Sequence, residues 1–298
     1  MESSPEANMK LGTKTLALMF LGLFLLSIGF AAVSDQDKRK SADGIVYTIL
    51  YDNVSAADSV VADHGFSCLI DSGDQSCLFD AGREADKFMA NVRALGVDCS
   101  EIKQVFVSHI HDDHMGGLSA VLAECRKPAL YLPFSYPRLI NEPPSDRADS
   151  DFQAWLGSLK QSVSEIIRKK EPVDVGGRFF STGTIEDGTY EQALIVPTSK
   201  GLVVITGCAH PGIVAIVKRA KELMKRDVYF VMGGFHLIST GDDQVKSIAR
   251  ELRGLTKYVG PCHCTGAKAQ AIFKDIFQGD YVDVRAGLRL KLGEGPLK

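Results

Sequence analysis

Between residues 44 and 260 the chain alternates short apolar runs with amphipathic stretches. GIVYTILYDNV (44–54) is rich in β-branched and aromatic residues and predicts a strand, and FSCLI (66–70) with CLFDAG (77–82) predicts a hairpin. Residues 84–97 place Phe88, Val92 and Leu95 at helical spacing, with Gly96 to end the helix. A short apolar strand at 105–107 then runs into a polar, His-rich loop before LSAVLAEC (118–125) resumes as a helix. Farther on, ALIVP and GLVVIT (193–206) predict a second hairpin, 213–224 a helix, 228–234 a strand and 245–255 a helix. Strands followed by helices, twice over, predict an α/β protein with two β-rich halves and helices outside them. Residues 138–171 break the pattern, with Pro143, Pro144 and several Asp before a helix that contains Trp155 and ends in Arg168-Lys169-Lys170. They read as an insertion, either a lid over a site or a solvated surface helix.

The start of the chain belongs to a different class. Residues 16–33 carry no charge, Lys10 and Lys14 precede them, and Asp35, Asp37 and the Lys38-Arg39-Lys40 run follow. Eighteen apolar residues lie between a secretory core and a full membrane span, so 1–34 is read as a signal peptide or a membrane anchor. Residues 35–43 then form a linker and 44–298 one domain. Either fate exports the protein, to the periplasm or medium, or tethers it, and the N-terminal segment is the sole expected membrane contact.

Composition narrows the function classes. With 45% hydrophobic and 24% charged residues, and 34 Lys+Arg against 37 Asp+Glu, the chain has neither the signature of a disordered protein nor the basic excess of a nucleic-acid binder. A small-molecule substrate is the expected partner. The 7 cysteines are an odd number and make no disulfide framework. A turn at 72–75 would set Cys68 opposite Cys77 as one disulfide; the preferred alternative is two small buried hydrophobes. Neither a G-x-S-x-G elbow nor a phosphate-cradling G-x-x-x-x-G-K-[S/T] loop occurs.

The candidate chemistry is concentrated in histidine. His109, His111 and His114 lie in SHIHDDH, His210 in TGCAHPG, His236 in GGFHL and His263 in PCHCTG, each patch following an apolar element. In an extended chain His109 and His111 project to one side, while the adjacent Asp113 and His114 point in different directions, so one stretch can feed two metal positions. Imidazole and carboxylate ligands suit zinc, with iron or manganese as alternatives.

The run His109-Ile110-His111-Asp112-Asp113-His114, after a strand and before Gly116-Gly117-Leu118, resembles the H-x-H-x-D-H signature of the metallo-β-lactamase fold superfamily. Asp80-Ala81-Gly82 resembles its D-x-G after the opening hairpin, and His263 lies where a late His ligand falls. HGFSCLI, TGCAHPGI, GGFHL and PCHCTG together resemble a subgroup of metal-dependent hydrolases, some of them labelled 7,8-dihydropterin-6-methyl-4-(β-D-ribofuranosyl)-aminobenzene-5'-phosphate synthase. The resemblance implies an αββα four-layer sandwich with two zinc ions at one end. His109, His111 and His210 would hold the first, and Asp113, His114 and His263 the second. The superfamily's bridging Asp is missing; Cys208 could occupy its position as a thiolate, or His210 alone serves from that loop. His236 would add a ligand or a substrate contact, and His64 would line the cleft. Asp80 is read as the carboxylate behind a ligand His, fixing its tautomer, or else as a plain turn residue. Cys262 and Cys264, flanking His263, are read as small residues that shape a tight loop in preference to direct ligands. The implied activity is hydrolysis of an ester, lactone or phosphoester by a metal-activated water, with Asp113 as its catalytic partner. The alternatives are the synthase reaction, which export disfavours, and a non-catalytic metal-binding protein of the same fold.

Overall fold

The computed structural model describes residues 44–134 and 146–291. The apolar stretch 16–33, the linker 35–43 and residues 138–145 lie outside the described residues. Among those described, no helix is long and apolar enough to cross a membrane.

The first half of the domain runs β1 (Val46–Tyr51), β2 (Ser67–Asp71), β3 (Ser76–Phe79), α1 (Ala85–Ala94), β4 (Gln104–Phe106), α2 (Asp112–Met115), α3 (Leu118–Glu124), β5 (Ala129–Pro133), α4 (Asp146–Leu159) and β6 (Glu165–Lys169). The second half runs β7 (Asp174–Val175), β8 (Phe179–Ser181), β9 (Ile185–Asp187), β10 (Thr189–Glu191), β11 (Leu194–Thr198), β12 (Gly201–Thr206), α5 (Ile213–Met224), β13 (Val228–Gly234), α6 (Asp242–Arg253), β14 (Thr256–Cys262) and α7 (Ala267–Phe277). Last comes β15 (Arg289–Lys291), which returns to the first sheet beside β1. The strand orders are β15-β1-β2-β3-β4-β5-β6 and β14-β13-β12-β11-β8-β7, with β9 and β10 as a separate hairpin.

Three apolar layers hold these elements together. Tyr47, Ile49, Phe66, Phe79 and Phe106 from the first sheet meet Leu194, Val196, Val203, Phe230 and Met232 from the second. On the outer face of the first sheet, Leu78, Val105 and Leu130 pack on Phe88 of α1, Leu122 of α3 and Phe152 of α4. On the outer face of the second, Val204, Val231 and Val259 pack on Val217 of α5, Ala249 of α6 and Phe273 of α7. The order is helix, sheet, sheet, helix, an αββα sandwich. Because both faces of each sheet are covered, a central strand is apolar throughout: Val203 and Ile205 face the central layer, Leu202 and Val204 the helices.

Two readings of the sequence need correction here. A turn at 72–75 pairs Asp71 with Ser76, which sets Cys68 opposite Phe79 and Cys77 opposite Ile70. The two sulfurs are therefore two registers apart, all seven cysteines are free, and Cys68 and Cys77 are the two small buried hydrophobes of the preferred reading. The helix of the supposed insertion ends at Leu159, and Arg168 and Lys169 lie on β6, paired parallel with β5. Ile166 and Ile167 are β-branched and extend the sheet, while Phe152, Leu156 and Leu159 bury α4 against its outer face. Arg168 folds back over the Phe152 ring, 4.9 Å from its centroid.

Strand direction places the site. β3 and β4 are parallel, β1 shares their direction through the antiparallel β2, and β12, β13 and β14 are mutually parallel. The loops leaving their carboxyl ends are where an open α/β sheet gathers ligands. The loop after β1 is tied down by Asn91 of α1, which has no exposed surface. Its Nδ2 donates to Leu50 O (2.9 Å) and Val61 O (2.8 Å), and its Oδ1 accepts from Val61 N (2.7 Å). Asn91→Ala is expected to cost about 2–3 kcal/mol, because it strands a buried carbonyl as well as opening a cavity. Denaturant unfolding checks this, and an unchanged midpoint would contradict it.

Candidate metal centre

Each loop turns abruptly as it leaves its strand. Asp80 after β3 (φ 53°), Ala209 after β12 (59°), His236 after β13 (52°) and His263 after β14 (48°) all adopt left-handed backbone. That conformation costs a non-glycine residue roughly 1–2 kcal/mol, and such strain clusters at functional sites.

Asp80 has no exposed surface and collects three donors. Ser108 N donates to Oδ1 (2.7 Å), Ser108 Oγ to Oδ2 (2.7 Å), and His114 Nδ1 to Oδ2 (2.7 Å). Since the Ser108 hydroxyl proton is used on Asp80, its oxygen accepts from His109 Nδ1, 2.9 Å away. One carboxylate thus fixes the tautomers of two histidines. Glu191, equally buried at the end of β10, does so for one histidine. It accepts the N–H groups of Cys208 (3.0 Å), Ala209 (2.8 Å) and His210 (2.8 Å), and His210 Nδ1 lies 2.9 Å from its Oε2. Asn53 Oδ1 takes His263 Nδ1 at 2.8 Å, while Asp52 Oδ1 accepts the His263 N–H at 2.9 Å. In every case Nδ1 is committed outward and Nε2 is left facing the cleft, the arrangement that orients metal-binding histidines.

The donor atoms left over converge, and two of the groups take in the histidines just described. Asp113, His114, Cys208 and His263 form one, and His109, Cys208 and His210 the other, each with ligand atoms within 4.8 Å of one another. In the first group Cys208 Sγ is 3.3 Å from His114 Nε2 and 3.4 Å from His263 Nε2, and Asp113 Oδ2 is 3.6 and 3.2 Å from the same nitrogens. A tetrahedral ion with bonds of about 2.0–2.3 Å requires donor spacings of about 3.3–3.8 Å. The residues fit a metal. His111 stands beside the second group and is not in it: its Nδ1 faces His109 Nε2 at 3.0 Å, and its ring is 5.0 Å from that of His210. Cys208 belongs to both groups, so its sulfur stands between the two positions.

Electrostatics agrees with this division. Burial, then the neighbouring His114 and His111, hold His109 well below the ordinary imidazole range, which keeps it neutral. Burial also presses on His114, but the Asp80 carboxylate and its hydrogen bond lift it to about 9. Burial pushes Asp80 itself up, against the His114 charge and hydrogen bond and then the two Ser108 donors. Asp113 is held far below the carboxylate range, against burial, by the His263 hydrogen bond and the His114 charge. Glu191 is likewise lowered against burial by His210 and the backbone N–H groups.

The remaining sequence candidates sit at the rim. His64, with a side chain 47% exposed, reaches Asp113 Oδ2 at 3.1 Å and accepts from Asn53 Nδ2 at 3.3 Å. His236 is exposed, with its ring 4.5 Å from that of His210.

A solved structure, that of Tm1679, a metal-dependent hydrolase of the beta-lactamase superfamily, is 31% identical to this chain, which covers all of it at a TM-score of 0.65; the match takes in 84% of this chain. The chain belongs to the metallo-β-lactamase superfamily. Within it, a 7,8-dihydropterin-6-methyl-4-(beta-D-ribofuranosyl)-aminobenzene-5'-phosphate synthase of Methanocaldococcus jannaschii is 29% identical over 83% of this chain and 96% of that protein. The metallo-β-lactamase fold protein YhfI of Bacillus subtilis shares the fold at a TM-score of 0.57 and 16% identity, over 82% of this chain and 98% of that one. The profile of a family described as anti-Pycsar protein Apyc1 matches residues 53–142.

Sequence reading in the superfamily's frame missed Asn53, Ser108 and Glu191. Ser108 precedes the first histidine directly, and Glu191 is a lone acid at the mouth of an apolar hairpin. Those were the available signals.

The His114 environment yields a pH dependence. In the metal-free protein His114 is protonated below about 9, and a metal ion requires its Nε2 lone pair, so binding must expel that proton. Apparent metal affinity is expected to rise by about tenfold or more per pH unit from 6 to 8, and to keep rising less steeply above about 9, because the Cys264 contact and burial push the Cys208 thiol up and it too must lose its proton. Competition with a chromophoric chelator measures this; affinity independent of pH would contradict it.

Proposed function

We propose that this protein is an exported metal-dependent hydrolase acting on an ester, lactone or phosphoester of a small molecule. The observation that carries the reading is the convergence of Asp113, His114, Cys208 and His263 on one point at tetrahedral spacing, beside His109, His111 and His210. Two divalent ions held there, zinc by ligand type, would supply Lewis acidity, which lowers the pKa of a water from about 16 toward about 7.

The chain's own residues do the rest. His109, His111 and His210 hold one position and Asp113, His114 and His263 the other, with Cys208 shared. Asp113 remains a carboxylate at any working pH, because its acidity is held far below neutral. It can ligate through one oxygen while the other accepts a hydrogen bond from the attacking water and orients it. His64 lines the cleft with both ring nitrogens engaged, by Asn53 and by Asp113, and the exposed His236 offers a polar contact to the substrate. The uncharged segment 16–33 is the basis for placing the protein outside the cytoplasm or on the membrane.

A second reading has one observation in its favour, the extended similarity to the archaeal synthase. The same electrophile would then be attacked by a substrate group rather than water, and the product would be a condensed molecule. Pterin and phosphoribosyl intermediates are generally cytosolic, which sets that reading against the export segment.

Full-length protein loaded with zinc is expected to turn over at least one of three chromogenic classes: esters, lactones or phosphodiesters. His111→Ala should reduce kcat/KM roughly a thousandfold and lower metal content, since it removes a ligand rather than a substrate contact. Full activity with normal metal content in that variant would refute the assignment.

A further inference from the structure

Two side chains beside the site have no part in either ligand set, Cys264 and His236. Cys264 leaves β14 directly after His263, is buried, and carries a free thiol. Its sulfur accepts the backbone N–H of His236 at 3.3 Å and lies 3.7 Å from the carbonyl oxygen of Cys208. The fold makes room for it, because a Cβ at Gly234 would lie 2.6 Å from that sulfur and 2.4 Å from Gly207 O. His236 is held in left-handed backbone, and its ring stands 4.5 Å from the His210 ring. Neither metal position of the proposed hydrolase takes this strained, exposed histidine as a ligand, although it stands beside two buried sulfurs.

Cys208 Sγ, Cys264 Sγ and a ring nitrogen of His236 lie within 4.8 Å of one another. We propose that Cys208, Cys264 and His236 form a third metal position, thiolate-rich and suited to a zinc-class ion, joined to the two-metal site through Cys208. Two sulfurs and an imidazole are the ligand set of thiophilic ions. With bonds of about 2.3 Å to sulfur and about 2.0 Å to nitrogen, the donors need separations of about 3.3–3.8 Å, so the triad closes by about 1.5 Å at most. A thiolate has lone pairs enough to bridge, which lets Cys208 serve a neighbour as well as this ion. The exposed His236 leaves the fourth coordination position toward solvent. Each thiol gives its proton to water when the ion binds. This position goes beyond the hydrolytic reading and does not rest on it.

Cadmium titration of the full chain tests the proposal, following thiolate-to-cadmium charge transfer in the ultraviolet and counting bound metal after gel filtration. Wild type is expected to take up three equivalents, the third bringing a second thiolate's absorption. Cys264→Ser, nearly isosteric, should stop at two equivalents with the absorption of Cys208 alone. His236→Gln alters an exposed side chain and so keeps the test open should the serine variant fail to fold; it should weaken the third equivalent about tenfold or more. Saturation of wild type at two equivalents, or a third equivalent retained in both variants, overturns the third position and leaves the two-metal reading intact. No bound cadmium at all overturns both.

Discussion

The cleft depends on one buried carboxylate. Asp80 sits with no exposed surface at the end of β3, in left-handed backbone, and its two oxygens receive Ser108 N, Ser108 Oγ and His114 Nδ1. Burying a carboxylate without partners would cost several kcal/mol, so the loop after β4 has to fold onto it in one way. That single requirement fixes Ser108, hence His109 through the serine oxygen, and His114 directly. The neighbouring backbone is shaped to the same end. A Cβ at Gly116 would come within 1.6 Å of Arg83 O, so the turn carrying Asp113 and His114 presses directly on the loop after β3. The glycine at that position is a packing requirement.

The end of β10 repeats the device with different chemistry. Glu191 caps three consecutive N–H groups and the His210 ring, which presents Cys208 and His210 as one rigid loop. Asp52 and Asn53 hold His263 from the first sheet although it grows from the second. The metal positions therefore lie where the two sheets are laced together, and the apolar layer between them maintains the spacing. Left-handed backbone at Asp80, Ala209, His236 and His263 stores a few kcal/mol of strain there. The three apolar layers offset it.

Much of this was legible before any coordinates. The strand and helix runs were legible because each core strand is apolar on both faces and each helix has an apolar stripe. The alternation of His109 and His111 announced a ligand loop. What the sequence hid was whatever depends on distant pairing. Asn53 and His263 are 210 residues apart, and nothing local marks them as partners. Glu191 read as a charge beside a hairpin, whereas its meaning comes from a loop 17 residues on that turns its N–H groups back. The Cys68 and Cys77 pairing failed on register, since a four-residue turn sums to Cys68 opposite Phe79. The end of α4 failed because β6 is short and charged at both ends, which on the sequence alone prolongs a helix. Cys264 read as a filler residue, and it takes the position of its sulfur against Cys208 and His236 to suggest otherwise.

The central claim is that a cysteine stands where this superfamily site calls for a shared carboxylate, with Cys208 Sγ 3.3 Å from His114 Nε2 and in both donor groups. X-ray absorption at the zinc edge on the full chain loaded with two equivalents tests it most directly. The account predicts a sulfur scatterer at about 2.3 Å among nitrogen and oxygen ligands at about 2.0–2.1 Å, lost in Cys208→Ser. A spectrum from wild type fitted by nitrogen and oxygen alone would contradict it.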